Sequence, residues 1–133
     1  MRIRAFASIV GLGLVSAGLQ AFAHHSFSAE FDANKRATFT GAVTSVEWRN
    51  PHTWFYVDVK DEAGNVVNWG FELASPNLLL RNGWTRSSIK VGDAVTVEAY
   101  LAKNGTNIGN AHAVTLTSTG QNLFTGSSKG STP

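Results

Sequence analysis

The sequence predicts a mostly β protein, a small five-stranded barrel like the OB-fold with one short helix between strands three and four. Three observations point there. Apolar and polar residues alternate with period two in five separate runs, the pattern of half-buried strands. A single helix signal falls after the third run. The first run also slips phase by one residue part-way along, as a strand does when it bends at the corner of a barrel. Three strands, a helix and two strands is the element order of an OB-fold barrel. A β-sandwich is the alternative, because antiparallel strands at this spacing fit that architecture too.

Residues 1–23 read as a secretory signal peptide ahead of the fold. Arg2 and Arg4 make a basic start, Ile9 to Leu19 is apolar, and Ala21-Phe22-Ala23 is a small-x-small cleavage signal. A membrane anchor needs about 20 strongly apolar residues, and this stretch is bounded by Ser8 and Gln20 and interrupted by Ser16. The expectation is a periplasmic or secreted protein with no stable membrane insertion after cleavage. Removing 23 of the 133 residues leaves about 110, enough for one domain with one core. Arg2 and Arg4 are two of the 11 basic residues, so the remaining 9 balance the 9 Asp and Glu. A net charge near zero offers no footing for nucleic acid. With no cysteine there is no disulfide, and the core alone has to hold the domain.

Residues 24–36 form an N-terminal segment before the barrel domain, 37–117. Phe27 and Phe31 are spaced for one helical turn, too little for a helix, and Asn34-Lys35-Arg36 reads as a polar turn. The first strand, Ala37 to Trp48, points Phe39, Gly41 and Val43 inward, then Val46 and Trp48, with a bulge at Thr44-Ser45 to absorb the slip. Asn50-Pro51-His52 makes a tight corner. The second strand, Thr53 to Lys60, turns Phe55, Val57 and Val59 inward and Trp54, Tyr56 and Asp58 outward. Asp61 to Asn65 is a hairpin turn in which Gly64 and Asn65 suit positive φ. In the third strand, Val66 to Leu73, the residues Val67, Trp69, Phe71 and Leu73 face one way, and Asn68, Gly70 and Glu72 the other.

The helix signal is specific. Ser75 is an N-cap, Pro76 occupies the first helical position, Leu78-Leu79-Leu80 supplies apolar surface and Gly83 stops it, giving a helix over roughly 76–82. The fourth strand, Ala94 to Leu101, directs Val95, Val97, Ala99 and Leu101 inward, and the fifth runs from Ile108 to Leu116. Residues 118–133 are a tail rich in Gly, Ser and Thr, partly disordered, in which Leu123 and Phe124 can dock. Trp48, Trp69 and Trp84 read as core or helix-packing residues.

At His24-His25-Ser26-Phe27, Asn50-Pro51-His52, Ser75-Pro76-Asn77 and Gly83-Trp84-Thr85 the chain resembles a group of small exported bacterial proteins, domain-of-unknown-function family 6152. The likeness runs from His24 to about Leu123. It implies export and a small β-barrel, and it brings no activity, ligand or catalytic residue. Function therefore has to be read from the residues.

All four histidines, His24, His25, His52 and His112, follow the signal peptide. Cleavage after Ala23 would give His24 a free α-amine, which can chelate a metal together with its own imidazole. The amine's reference pKa of about 7.7–8.0 lets a metal displace its proton near neutrality. A distant imidazole would complete a three-nitrogen set, and nitrogen donors in a plane suit Cu(II), which heads the divalent affinity order. His52 is the expected second ligand and His25 an adjacent one, so the copper site is expected at His24, His25 and His52. Two plainer readings stand beside it: a solvated His-His terminus that binds copper weakly, and a His52 that only holds its corner by a hydrogen bond. His112 shares a phase with Ile108, Val114 and Leu116 and reads as a hydrogen-bonded, half-buried residue.

The alternative is an interaction module without metal. Strands two and three of OB-folds form the usual ligand platform, and here Trp54, Tyr56, Asn68 and Glu72 share the outer face of both. Such aromatics could stack on a glycan or a peptide or meet an envelope protein, or they could simply stabilise the sheet. The sequence has no Cys nucleophile, no Gly-x-Ser-x-Gly elbow, no phosphate loop and no HExxH helix. The expectation is a binding protein and not an enzyme.

Overall fold

The structure is a computed structural model and describes residues 26–126. The expected signal peptide, His24 and His25, and the last residues of the tail lie outside the described residues. The chain divides into two units after Glu30. Of the first, only the helical residues 26–30 are described, and Phe31, the partner of Phe27 in the sequence spacing, already belongs to a strand.

The second unit carries β1 (Phe31–Glu47), β2 (Trp54–Lys60), β3 (Val66–Glu72), α1 (Pro76–Arg81), β4 (Ala94–Ala102), β5 (Ile108–Leu116) and β6 (Asn122–Leu123). All six strands lie in one sheet ordered β3-β2-β1-β4-β5-β6. Parallel pairing of β3 with β5, over Gly70 to Glu72 against Ile108 to Asn110, closes five strands into a ring. One closed sheet with the helix between β3 and β4 is the arrangement expected of an OB-like domain, and among the described residues there is no second stacked sheet of the sandwich kind.

The bulge in β1 falls where the phase slip put it. Val43 faces Val57 and Ser45 faces Tyr56, so Thr44 is the extra residue. Gly41 lies in the bend because β1 passes β2 closely there: a Cβ at Gly41 would run into the Asp58 carbonyl oxygen. The inner faces read from the sequence meet in one core. Phe55, Val57, Phe71, Val95, Val97 and Val114 are fully buried, and Phe39, Val46, Trp48, Val59 and Trp69 pack against them half-buried. Burying aromatic and branched side chains in this way, at about 1.5–3 kcal/mol each, is the main force holding a domain without disulfides.

In α1, Ser75 caps the N-terminus by accepting a bond from the Leu78 amide, with Pro76 in the first turn, and Gly83 follows the C-cap Asn82 at φ +92. Only Leu79 of the three leucines is buried. Leu78 and Leu80 are exposed, because a helix of 6 residues lying on the core turns one residue of any three consecutive ones inward.

Several expectations need correction. Asn34-Lys35-Arg36 is no boundary turn. β1 starts six residues before Ala37, with Phe31 opposite Ala102 and Arg36 opposite Tyr100. The turn-forming composition is accommodated as an irregularity inside the strand, where the Asp32 carboxylate accepts the Asn34 amide at 2.9 Å. In the 61–65 hairpin only Gly64 takes positive φ, at +84. Asn65 instead bonds Asp61 through its amide, at 2.8 Å, and its side chain, at 3.3 Å. β4 loses its alternation after Ala99: Tyr100 and Ala102 are buried and Leu101 is not. The cause lies across the ladder, where Glu98 faces Ala113 and Ala99 faces Ala111, leaving His112 as an unpaired extra residue of β5. Finally, the tail contributes a sixth strand. Leu123 pairs with Val114 and packs on the core beside Phe124, so both residues dock.

Candidate functional site

The corner between β1 and β2 is held by backbone. The Asn50–Pro51 peptide bond is cis. Thr53, fully buried, donates its amide to the Ala74 carbonyl at 3.0 Å and accepts the Leu73 amide at 2.8 Å. Those two bonds tie the corner to the chain leaving β3, and so bring His52 beside Glu72 and Leu73.

His52 Nδ1 lies 3.0 Å from the Leu73 carbonyl oxygen and 3.6 Å from Glu72 Oε1. A carbonyl only accepts, so Nδ1 donates, and 3.6 Å is too long for a hydrogen bond. In the neutral imidazole this makes Nε2 the nitrogen with the lone pair. Nε2 has no hydrogen-bond partner among the described residues, and the side chain is 39% exposed. His52 thus holds its corner with one nitrogen and keeps the other available. Metal-binding histidines are commonly arranged so, with the remote N–H on a carbonyl or carboxylate.

Glu72 is largely buried, its side chain 12% exposed, and accepts a bond from Asn110 Nδ2 at 3.0 Å. The pairings Trp54–Glu72, Glu72–Asn110, Asn110–Tyr100 and Tyr100–Arg36 make one row across all five strands of the ring. The Arg36 guanidinium lies 5.4 Å from the Tyr100 ring centre, and the His112 ring meets Tyr100 edge-on at 5.5 Å. His112 is half-buried as expected, but its Nδ1 is buried with no hydrogen-bond partner among the described residues. The bulge sets its ring against Tyr100 rather than against a polar group. Asn110, Tyr100 and Arg36 have no local signal in the sequence, since what unites them with Glu72 is pairing between distant strands.

The residues of the alternative platform do share a face, but most of their groups serve the sheet. Tyr56 lies over Gly70, where an added Cβ would come within 2.9 Å of its ring. Asn68 donates to Asp58 Oδ1 at 2.8 Å and to Thr44 Oγ1 at 3.1 Å, and Glu72 holds Asn110. Trp54 is half-buried at the corner end of β2.

Among the described residues no three His, Cys, Asp or Glu side chains come together as a metal-binding group. They contribute one imidazole, His52, with Glu72 behind it; the other two expected ligands lie outside the described part. No described helix is long and apolar enough to cross a membrane. Comparison with curated proteins gives no match. Residues 11–112 match the model of a Family of unknown function (DUF6152), a span that begins within the apolar N-terminal run and ends at His112.

Proposed function

The chain belongs to this family of unknown function, and from that premise we propose that it is an exported binding protein that takes up Cu(II) and performs no catalysis. In this reading Nε2 of His52 is one ligand, the α-amine and imidazole of His24 are two more, and His25 is an adjacent donor. The observation that carries it is the bond from His52 Nδ1 to the Leu73 carbonyl at 3.0 Å, which fixes the ring and leaves Nε2 as a lone-pair donor. The platform reading has less behind it, because Tyr56, Asn68 and Glu72 are already engaged within the sheet.

The test is a Cu(II) titration of the chain beginning at His24, read by calorimetry and electron paramagnetic resonance. One tight equivalent with a nitrogen-rich spectrum is expected. It should weaken in His52→Ala and when one residue is added before His24. Binding that is indifferent to His52→Ala would end the proposal.

A further inference from the structure

A cavity of about 520 Å³ opens at the end of the ring away from the His52 corner, where β2 turns into β3. Its apolar lining is Phe39 of β1, Val59 of β2, and Val67 and Trp69 of β3. These are inner-face residues, yet all four are only half-buried. The cause is in the pairing. β3 closes onto β5 only from Gly70 onward, so the earlier part of β3 has no second neighbour among the described residues and the ring they form stays open beside Trp69. Phe39 and Trp69 stand 4.4 Å apart, tilted by 39°.

The rim is polar and mixed in character, with Thr38, Lys60, Asp61, Glu62 and Asn107. The Asp61 carboxylate is engaged by Asn65. Lys60 and Glu62 are exposed and make no ion pair or side-chain hydrogen bond among the described residues. The rim therefore offers an ammonium and a carboxylate unengaged among the described residues, together with the hydroxyl of Thr38 and the amide of Asn107. A carboxylate ligand would gain from Lys60 and be repelled by Glu62 and Asp61, and an amine would meet the reverse. A neutral ring carrying several hydroxyls satisfies both, donating to Glu62 and accepting from Lys60 and Asn107, while its C–H face lies on the aromatic lining. The volume falls within the range of about 300–1,000 Å³ for small-molecule sites, which favour apolar walls with a few convergent polar groups.

We infer that this mouth is a saccharide-binding site for a single pyranose unit, with Trp69 as the apolar contact and Lys60 and Glu62 as the polar ones. It uses no residue of the proposed copper site, so the two proposals fail separately. A free sugar and the end unit of a glycan share this ring chemistry, and the probes below tell them apart.

The test is saturation-transfer NMR on the full chain, with glucose, N-acetylglucosamine, maltotriose and chitotriose as probes. Transfer to ring C–H protons of at least one is expected. Equal transfer to monosaccharide and trimer identifies a free sugar as the ligand, and transfer confined to the terminal unit of a trimer identifies a glycan end. Trp69→Ala should abolish it. Glu62→Gln, an exposed rim change that leaves the core intact, keeps an acceptor but removes its charge, and should weaken binding roughly tenfold, the difference between a hydrogen bond to a charged group and one to a neutral group. Absence of transfer from all four probes would overturn the inference. So would transfer unaffected by Glu62→Gln, or transfer lost in Trp54→Ala but kept in Trp69→Ala, which would place the sugar on the outer face instead.

Discussion

The two ends of β2 are built in opposite ways. At the Trp54 end the corner is closed: Thr53 is tied to Leu73 and Ala74 by backbone bonds, Glu72 holds Asn110, and Nε2 of the part-exposed His52 side chain is left with no hydrogen-bond partner among the described residues. At the Lys60 end the ring is open, its aromatic lining is half-exposed, and two charges on the rim have no partner among the described residues. A closed polar corner with one lone pair left over suits a point-like ligand such as an ion, since the bond from Nδ1 to the Leu73 carbonyl has already fixed the orientation of the ring. An open mouth with unengaged donors and acceptors suits a ligand of several atoms. About 20 Å of strand separates them, so one small ring can carry both without their sharing a residue.

They do share a core, and that is where the comparison breaks most severely. Phe71 is fully buried, with its ring centre 5.2 Å from Phe39 on the mouth side and 5.4 Å from Phe55 on the corner side. Phe71→Ala should cost about 3–5 kcal/mol, the usual loss for removing a buried aromatic ring, measured as a lower urea midpoint by circular dichroism. Both ends should lose their ligands together at denaturant concentrations the parent tolerates. A loss below about 1 kcal/mol would show that the two ends do not depend on a common core.

Glu72→Gln separates the ends instead. The amide oxygen of Gln can still accept the Asn110 bond, but the negative charge 3.6 Å behind His52 Nδ1 is removed. Copper affinity should fall about 10–100-fold, the usual consequence of altering an outer-shell partner, while saccharide contact at the mouth stays unchanged. Unchanged copper affinity in the same calorimetric titration would mean that the Leu73 carbonyl alone orients the ring.

The contrast also explains what could be read from the sequence. The bulge at Thr44 was legible because apolar residues on both sides of it, Val43 and Val46, mark the phase. The helix was legible because Ser75, Pro76 and Gly83 each have a local backbone reason to stand where they do. The bulge at His112 was not legible, since Ala111 and Ala113 flank it alike and give no phase marker. The start of β1 was hidden because Asn34-Lys35-Arg36 has turn composition, whereas its strand character comes from β4, more than 60 residues away. At the corner, the reading of His52 as a residue that holds the turn is met by the contact of Nδ1 with the Leu73 carbonyl. The mouth was hidden for a different reason. Phe39 and Trp69 look like core residues by alternation, and only the late closure of β3 onto β5 leaves them half-exposed.

The smallest expected effect lies on the row between the two ends. Arg36 reaches Glu98 at 3.2 Å, with the two side chains 48% and 49% exposed, and also lies over the buried Tyr100 ring. An ion pair so exposed gives about 0.2–1 kcal/mol and weakens with salt, because water and ions screen it. The contact with Tyr100 depends on the aromatic quadrupole and on packing of the side-chain stem, which salt screens much less. A double-mutant cycle on Arg36→Ala and Glu98→Ala, measured by urea unfolding, should therefore give a coupling below about 1 kcal/mol that largely disappears at 1 M salt. The residual cost of Arg36→Ala at high salt reports the Tyr100 contact. If the cycle kept its full coupling at 1 M salt, the pair would be far better shielded than its exposure indicates, and the outer row would belong with the closed corner as a built polar surface.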